Sequence, residues 1–428
     1  MTRTLDVYLH KWLVGRLVQD DHGQMAFDYS ESWLERPSAT PLSRSLPLRR
    51  ARFPLHECRG FFAGILPEES KREIIARNLG ISSQNDFAML ECIGGECAGA
   101  VTFVSAGEPL PKVNDRYRAL SDEELLTILK TLPQRPLLAG EEGVRLSLAG
   151  AQDKIAVSVT DGKVALPLGG TPSTHILKPD SPRFAGLIIN EALCLTLADV
   201  VGIPAAKASI HQVDGFDYLL IERYDRKKGI PSRGRFGVHA PIRRLHQEDF
   251  CQALGIAPEM KYQSEGGPSL EQCFALLRET SSAPVIDLQR LLDAVIFNML
   301  IGNHDAHGKN FSLLYDEGGT VLEGYSTRLA PLYDTLSTVF YPELSGRMAM
   351  KIGGEYESNK IFPRHFEKLA ESVGLTKSLV NKRVPELTEA VIVSLTKIDT
   401  THPVASKVAA LITSRCHDVL EKFRRYAS

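Results

Sequence analysis

The sequence predicts an α+β fold in two lobes, the first rich in strands and the second rich in helices. Three observations carry this reading. From about residue 146 to 226 the chain runs in short strand-like stretches around a two-residue turn signal, Asp161-Gly162. After about residue 245 the apolar period changes to that of helices, in EDFCQALG, SLEQCFALLRE and DLQRLLDAVIFNMLIG. Between a helix and a strand lies a polar stretch, IGNHDAHGKNFSLLYD at 301–316, too dense in chemically able side chains to be only a connection.

The elements follow in order. LDVYLH, WLVGRLV and MAFDYS alternate as paired strands, and PSATPLSRSLPLRR reads as an extended loop. FFAGILPEESKREIIARNLG reads as a turn and then a helix stopped by Gly80; a short helix near Asp86–Ile93 and a strand, AVTFVS, come next. Residues 106–120 form a Pro/Gly-rich linker, and Ser121 with Glu124 makes a capping box for SDEELLTILKTL. PQRPLLAGEEG leads to RLSLAGAQDKIAVSV; IAVSVTDGKVAL is a hairpin, THILKP and DYLLIERYDR are strands, and GLIINEALCLTLADVVG is a helix ended by Gly202. Ser269 and Gln272 form a second capping box. A hairpin through Gly318-Gly319 precedes APLYDTLST, and from about 363 the chain is mostly helix. The expected division is 1–112 as an N-terminal subdomain, 113–245 as an N-lobe with a phosphate loop, and 246–428 as a helical C-lobe with a catalytic loop.

Bulk properties narrow the function. The 428 residues suffice for two or three domains at about 100–200 residues each. A net charge of −2 argues against a chain-wide nucleic-acid glove. Seven scattered cysteines without C-x-x-C spacing read as reduced thiols. The start, MTRTLDVYLHKW, lacks the apolar core of a signal peptide, and no run approaches the ~18 apolar residues of a membrane span. A cytoplasmic location is the expectation.

A β-rich lobe followed by a helical one is the layout of a kinase-like enzyme with a nucleotide in the cleft. Phosphoryl transfer needs positioning and charge neutralisation more than covalent chemistry. Asp305 and Asn310 have the D-x-x-x-x-N spacing of a kinase catalytic loop, with Asp305 as base and Asn310 as magnesium ligand. Asp334 in LAPLYDTLST is the counterpart of the second magnesium ligand. Lys178 in THILKP followed by Glu191 in the next helix suits a lysine aimed at phosphates by an ion pair. SLAGAQDK has small residues at a turn whose N–H groups suit phosphates, although it matches neither common Gly-rich motif. Each piece has a plainer reading: Asp334 as a helix cap, Lys178 as a solvated strand lysine, Glu191 as a surface residue, Ser147 as an ordinary strand residue. The rival is an HD-type metal-dependent phosphohydrolase using His304-Asp305, with His307 nearby and His175, His211, His239 and His246 elsewhere.

LSLAGAQDKIAV, THILKP, the NE at 190–191, ERYDR at 222–226, SEGGPSL at 264–270, LIGNHDAHGKNFSLLYD, LAPLYD and FPRHF at 362–366 together resemble the HipA family of serine/threonine-protein kinase toxins. LSRSLPL at 42–48, FFAGILPE at 61–68 and CAGAVTFV at 97–104 extend the resemblance over nearly the whole chain. It implies Asp305 as catalytic base, Asn310 and Asp334 as Mg2+ ligands, and Lys178 as the ATP-phosphate lysine. Ala149, Gly150, Ala151, Gln152, Asp153 and Lys154 would form the ATP-binding loop, and Glu222 and Tyr224 the hinge that meets adenine. His307 and Lys309 would lie near the nucleotide, and Ser147 would be autophosphorylated. The resemblance further implies glutamyl-tRNA synthetase as substrate and growth arrest or persistence as outcome. The implied partner is the antitoxin HipB, a helix-turn-helix dimer with which the kinase acts as co-repressor, reaching operator DNA, and so the nucleoid, through HipB. Basic clusters at 377–383 and 421–426 would then face phosphates or plain solvent. A catalytically silent co-repressor is the second alternative.

Overall fold

The computed structural model describes residues 2–111, 116–229, 232–234, 237–239, 242–317 and 325–427. The hairpin expected at Gly318-Gly319 lies outside the described residues. The chain divides into two compact units: residues 1–179, 211–258 and 314–326 form the first, and residues 180–210, 259–313 and 327–428 the second.

Two larger antiparallel sheets dominate the described residues of the first unit. Met25–Tyr29, Trp12–Gln19, Arg3–Leu9 and Val101–Ser105 lie side by side in that order. Alternation along Arg3–Leu9 puts Leu5, Val7 and Leu9 into a core with Phe27, Phe53, Phe61, Phe62 and Phe103. In the second sheet the strands Phe216–Glu222, His175–Pro179, Ile155–Thr160, Lys163–Pro167 and Tyr117–Ala119 are neighbours. Asp161 and Gly162 turn the hairpin with φ of +50° and +75°, the backbone a two-residue type I′ loop demands.

One helix of this unit departs from the sequence reading. FFAG is not a turn but the end of a helix, Leu55–Gly64. Its glycines are there for close packing: a Cβ on Gly60 would meet the Gly255 carbonyl carbon at 2.5 Å, and one on Gly64 would meet Gln252 Cγ at 2.6 Å. The following helix, Glu69–Leu79, ends on Gly80 in the left-handed conformation, as the sequence indicates.

The second unit is mainly helical. Leu187–Val200, Leu270–Thr280, Pro284–Ile301, Pro363–Ser372, Lys377–Leu395 and Pro403–Ala427 are its main helices. The apolar stripe Val380, Val384, Leu387 and Val391 is buried, as are Leu292, Ile296 and Leu300 on Pro284–Ile301 and Val408, Ile412 and Cys416 on Pro403–Ala427. The Ser269–Gln272 capping box is formed. Two further strands that no clear sequence period marks, Arg347–Ile352 and Glu355–Glu357, pair beside the helices. Pro284–Ile301 stops at Gly302, φ +72°, and this stop delivers the polar stretch that follows. All seven cysteines are free. Among the described residues no helix is long and apolar enough to cross a membrane.

Candidate active site

The polar stretch after Gly302 is fixed by its own backbone and by polar side chains of the second unit. Asp305 N donates to Asn303 Oδ1 (3.1 Å), and Asn303 Nδ2 donates to Asn298 Oδ1 (2.9 Å). Asp305 O accepts from His307 N (2.8 Å) and from Asn310 Nδ2 (3.0 Å). A 3-10 turn, Gly308–Asn310, closes the loop before the strand Ser312–Glu317. The D-x-x-x-x-N spacing thus produces a compact loop in which the Asn310 amide nitrogen is consumed at Asp305. An amide whose nitrogen is spoken for offers its oxygen to other partners, and an amide oxygen beside a carboxylate is the hard donor set that magnesium takes.

Asp334 comes to this loop through its neighbour. Tyr333 OH donates to Lys309 O (2.7 Å) and lies 2.6 Å from Ser312 Oγ. One hydrogen bond therefore ties the residue before Asn310 to the residue before Asp334. Asp334 itself has φ +52°, a left-handed conformation that costs a non-glycine residue about 1 kcal/mol or more and that clusters at functional positions. It caps no helix. Beyond it, Ser337 N donates to Asn190 Oδ1 (2.8 Å) and Asn190 Nδ2 donates to Ser337 O (2.9 Å), so the helix Leu187–Val200 grips this segment with both ends of an amide. Glu191, the next residue on that helix, is fully buried. His307 and Lys309 are also buried in the loop. Tyr333 and Asn190 lie inside sequence motifs but carry no signal of their own there; no spacing rule marks a phenol or an amide that works by pinning its neighbours.

His304 is the residue on which the metal-hydrolase alternative depends, and both its ring nitrogens are engaged. Nδ1 lies 3.2 Å from Ser345 O, which can only accept, so Nδ1 carries the proton; Nε2 then accepts from the Ser358 hydroxyl at 2.8 Å. Burial, together with the Arg415 charge, pushes its pKa below the usual histidine value. His304 is a neutral structural residue with no lone pair left for a metal. Among the described residues no group of three or more His, Cys, Asp or Glu side chains is arranged to hold one.

The remaining candidate residues lie in the first unit. Ser147 is fully buried on a short strand, Leu146–Ser147, parallel to Glu96–Cys97, and its hydroxyl donates to Ile65 O (3.0 Å). The loop after it, Ala149 to Lys154, curls on itself. Lys154 Nζ donates to Ala149 O (2.8 Å), Asp153 pairs with Lys71 (2.5 Å), and Gly150 bridges to Pro67. Gly150 has φ +104°, a backbone conformation that L side chains rarely adopt, so this curl favours glycine. FFAGILPE and LAGAQDK, two motifs far apart in sequence, are therefore one structure. Lys178 is buried on His175–Pro179, its backbone opposite Leu219 of Phe216–Glu222.

Glu222 and Tyr224 flank Arg223, which points into a buried charge cluster absent from the sequence reading. Arg223 donates to both Asp225 oxygens (3.0 and 2.8 Å), to Glu96 Oε1 (3.2 Å) and to Cys97 O (3.0 Å). Arg226 donates to Asp225 Oδ2 and Glu96 Oε1 (both 2.8 Å), and Arg244 also pairs with Glu96. Burial alone would push the Glu96 carboxyl up; Arg226, Arg244 and Arg223 overcome it and hold it at about 2. Asp225 is likewise held well below the usual carboxylate range, Arg223 and Arg226 again outweighing burial. The cluster fixes the segment Arg223–Arg226 against the strand Glu96–Cys97, which carries the Ser147 strand.

Comparison with known proteins identifies the family. Residues 5–104 match the HipA N-terminal domain family, and residues 146–395 match the HipA-like C-terminal domain family. A protein named "Putative kinase Y4mE" from Sinorhizobium fredii is 46% identical over 392 residues, 91% of this chain and 90% of that protein. The "Serine/threonine-protein kinase toxin HipA" of Shewanella oneidensis is 30% identical over 93% of this chain and 91% of its own length. A structure of Shewanella oneidensis HipA with HipB and operator DNA superposes with a TM-score of 0.81 at 27% identity, covering 98% of both chains. With both halves of the family matched and a 30% identical relative covered over nine-tenths of its length, the chain belongs to the HipA family of kinases.

Proposed function

We propose that this chain is a Mg2+- and ATP-dependent serine/threonine-protein kinase that acts as the toxin of a toxin–antitoxin pair. The observation that carries the reading is the Tyr333–Lys309 bond, which links the Asp305–Asn310 loop to the residue before Asp334. Asp305 would accept the proton of a substrate serine hydroxyl as the oxygen attacks the γ-phosphorus and the bond to ADP breaks. Asn310 and Asp334 would hold magnesium, which supplies charge neutralisation on the phosphates when bound. Lys178 and the Ala149–Lys154 loop would bind phosphates, Glu222 and Tyr224 would present backbone to adenine, and His307 and Lys309 would line the nucleotide site.

Ser147 would be the autophosphorylation site. Its hydroxyl is buried against Ile65 O, so phosphorylation requires the strand Leu146–Ser147 to leave its place, and the dianion could not return to it. The substrate of the reading is glutamyl-tRNA synthetase, and its partner is HipB, with operator DNA reached through that partner. The solved complex of Shewanella oneidensis HipA with HipB and operator DNA supports this association. The test is incubation with γ-labelled ATP and Mg2+. Transfer of label to Ser147 and to glutamyl-tRNA synthetase, abolished in Asp305→Gln, is the expected result. Repression with HipB but no transfer to any protein would instead favour a silent co-repressor.

A further inference from the structure

No residue of the segment KYQSEGGPS at 261–269 has a role in the kinase reading, yet the segment places a side chain on the proposed base. Tyr262 OH donates to Asp305 Oδ1 at 2.6 Å. Asp305 has two carboxylate oxygens, and among the described residues no other side chain bonds either of them. The phenol therefore selects which oxygen remains for a substrate.

The segment is built to hold that phenol still. Tyr262 O accepts from both Glu265 N and Gly267 N (2.9 Å each), so the chain closes a tight loop behind the ring. The closure needs its glycines: Gly266 has φ +101°, and a Cβ on Gly267 would meet Met260 O at 2.4 Å. Gln263 Oε1 accepts from Lys351 N (2.8 Å), fastening the loop to the strand Arg347–Ile352. The ring stands edge-on to His307, with centroids 5.3 Å apart and planes at 79°, and Lys261 Nζ lies 5.5 Å from its centre. A phenol fixed on three sides sets the rotation of the carboxylate that it bonds.

We infer that Tyr262 is a positioning residue for phosphoryl transfer: it holds Asp305 through Oδ1 so that Oδ2 faces the substrate hydroxyl. The inference rests on Asp305 being the base of the proposed function. A carboxylate free to rotate meets the hydroxyl less often in a productive geometry, and catalysis is sensitive to misplacements of this kind.

The experiment is steady-state transfer of label from γ-labelled ATP to the acceptor that the wild type labels, with Tyr262→Phe as the variant. Loss of one hydrogen bond to a charged group predicts a fall in kcat of about 10–100-fold. KM for ATP should stay at its wild-type value, and the melting temperature should fall by only a few degrees, the share of one hydrogen bond, because the ring and its contact with His307 remain. Combined with Asp305→Asn, Tyr262→Phe should add nothing, whereas a residue that merely supports the fold would add its own loss. Should Tyr262→Phe melt early, Gln263→Ala keeps the phenol but unfastens the loop, and it should show the same loss in kcat at unchanged KM. An unchanged kcat overturns the inference. So does a raised one, which would make the phenol a plug on the base. A folded wild type that neither binds ATP nor transfers label overturns the kinase reading itself and the inference with it, an outcome separate from an active wild type matched by its variant.

Discussion

Glu96→Gln is the substitution whose effect the structure fixes most firmly. It keeps the size of a side chain that is 2% exposed and removes its charge. Glu96 and Asp225 face Arg223, Arg226 and Arg244, so the native cluster carries one excess positive charge and the variant two. The Glu96 carboxyl is held at about 2 against 4.5 unperturbed, and at about 1.36 kcal/mol per unit this amounts to about 3 kcal/mol of stability. Removing one partner of a buried ion pair costs about 3–5 kcal/mol in other proteins, in line with this figure. At about 2–4 °C per kcal/mol, the melting temperature at pH 7 should fall by roughly 6–12 °C. The pH dependence gives a second reading. A carboxyl with a depressed folded pKa stabilises fully above 4.5 and loses that contribution as pH falls toward 2, so wild type and variant should converge over this window. Scanning calorimetry at several pH values is the assay. A melting temperature within 1 °C of wild type at pH 7, or a difference that persists at pH 2, would refute the electrostatic account of the cluster.

Burial pushes the Glu248 carboxyl up to about 7 in spite of hydrogen bonds from Ser43, Tyr315 and the Arg44 backbone, so this residue should cost stability, up to about 3 kcal/mol, as pH rises from 4.5 to 7; Glu248→Gln should remove that slope in urea melts. Ser147→Asp puts a carboxylate at a fully buried position, which costs several kcal/mol unless the strand Leu146–Ser147 undocks; hydrogen exchange of residues 144–149 should rise, and unchanged protection would contradict this. Tyr333→Phe loses the bond to Lys309 O and should lower kcat about tenfold with a stability loss of about 1 kcal/mol, read by transfer assay and denaturant titration.

Local chemistry made much of the fold legible. Asp161-Gly162 could only be a tight hairpin turn, Ser121-x-x-Glu124 and Ser269-x-x-Gln272 could only open helices, and Gly80 and Gly302 stop helices in the conformation glycine allows. The helix Leu55–Gly64 was hidden for a tertiary reason. Its glycines resemble turn residues until Gly255 and Gln252 are seen packed against them, and its N-terminus, at Pro54, has no side-chain cap. The candidate site divides in the same way. Asp305, Asn310 and Asp334 announce themselves by residue type and order. Tyr262, Tyr333, Asn190 and the Glu96 cluster work through partners 24 to 147 positions away, and no local pattern encodes such a pairing.

Under the proposed function, Asn310 and Asp334 would hold a nucleotide's magnesium next to Asp305. A crystal structure with Mg2+ and a non-hydrolysable ATP analogue tests it most directly. Asn310 Oδ1 and an Asp334 carboxylate oxygen are expected in the metal shell at ~2.1 Å, with Asp305 Oδ2 open toward the γ-phosphate. A metal-bound nucleotide that engages neither Asn310 nor Asp334 would contradict it.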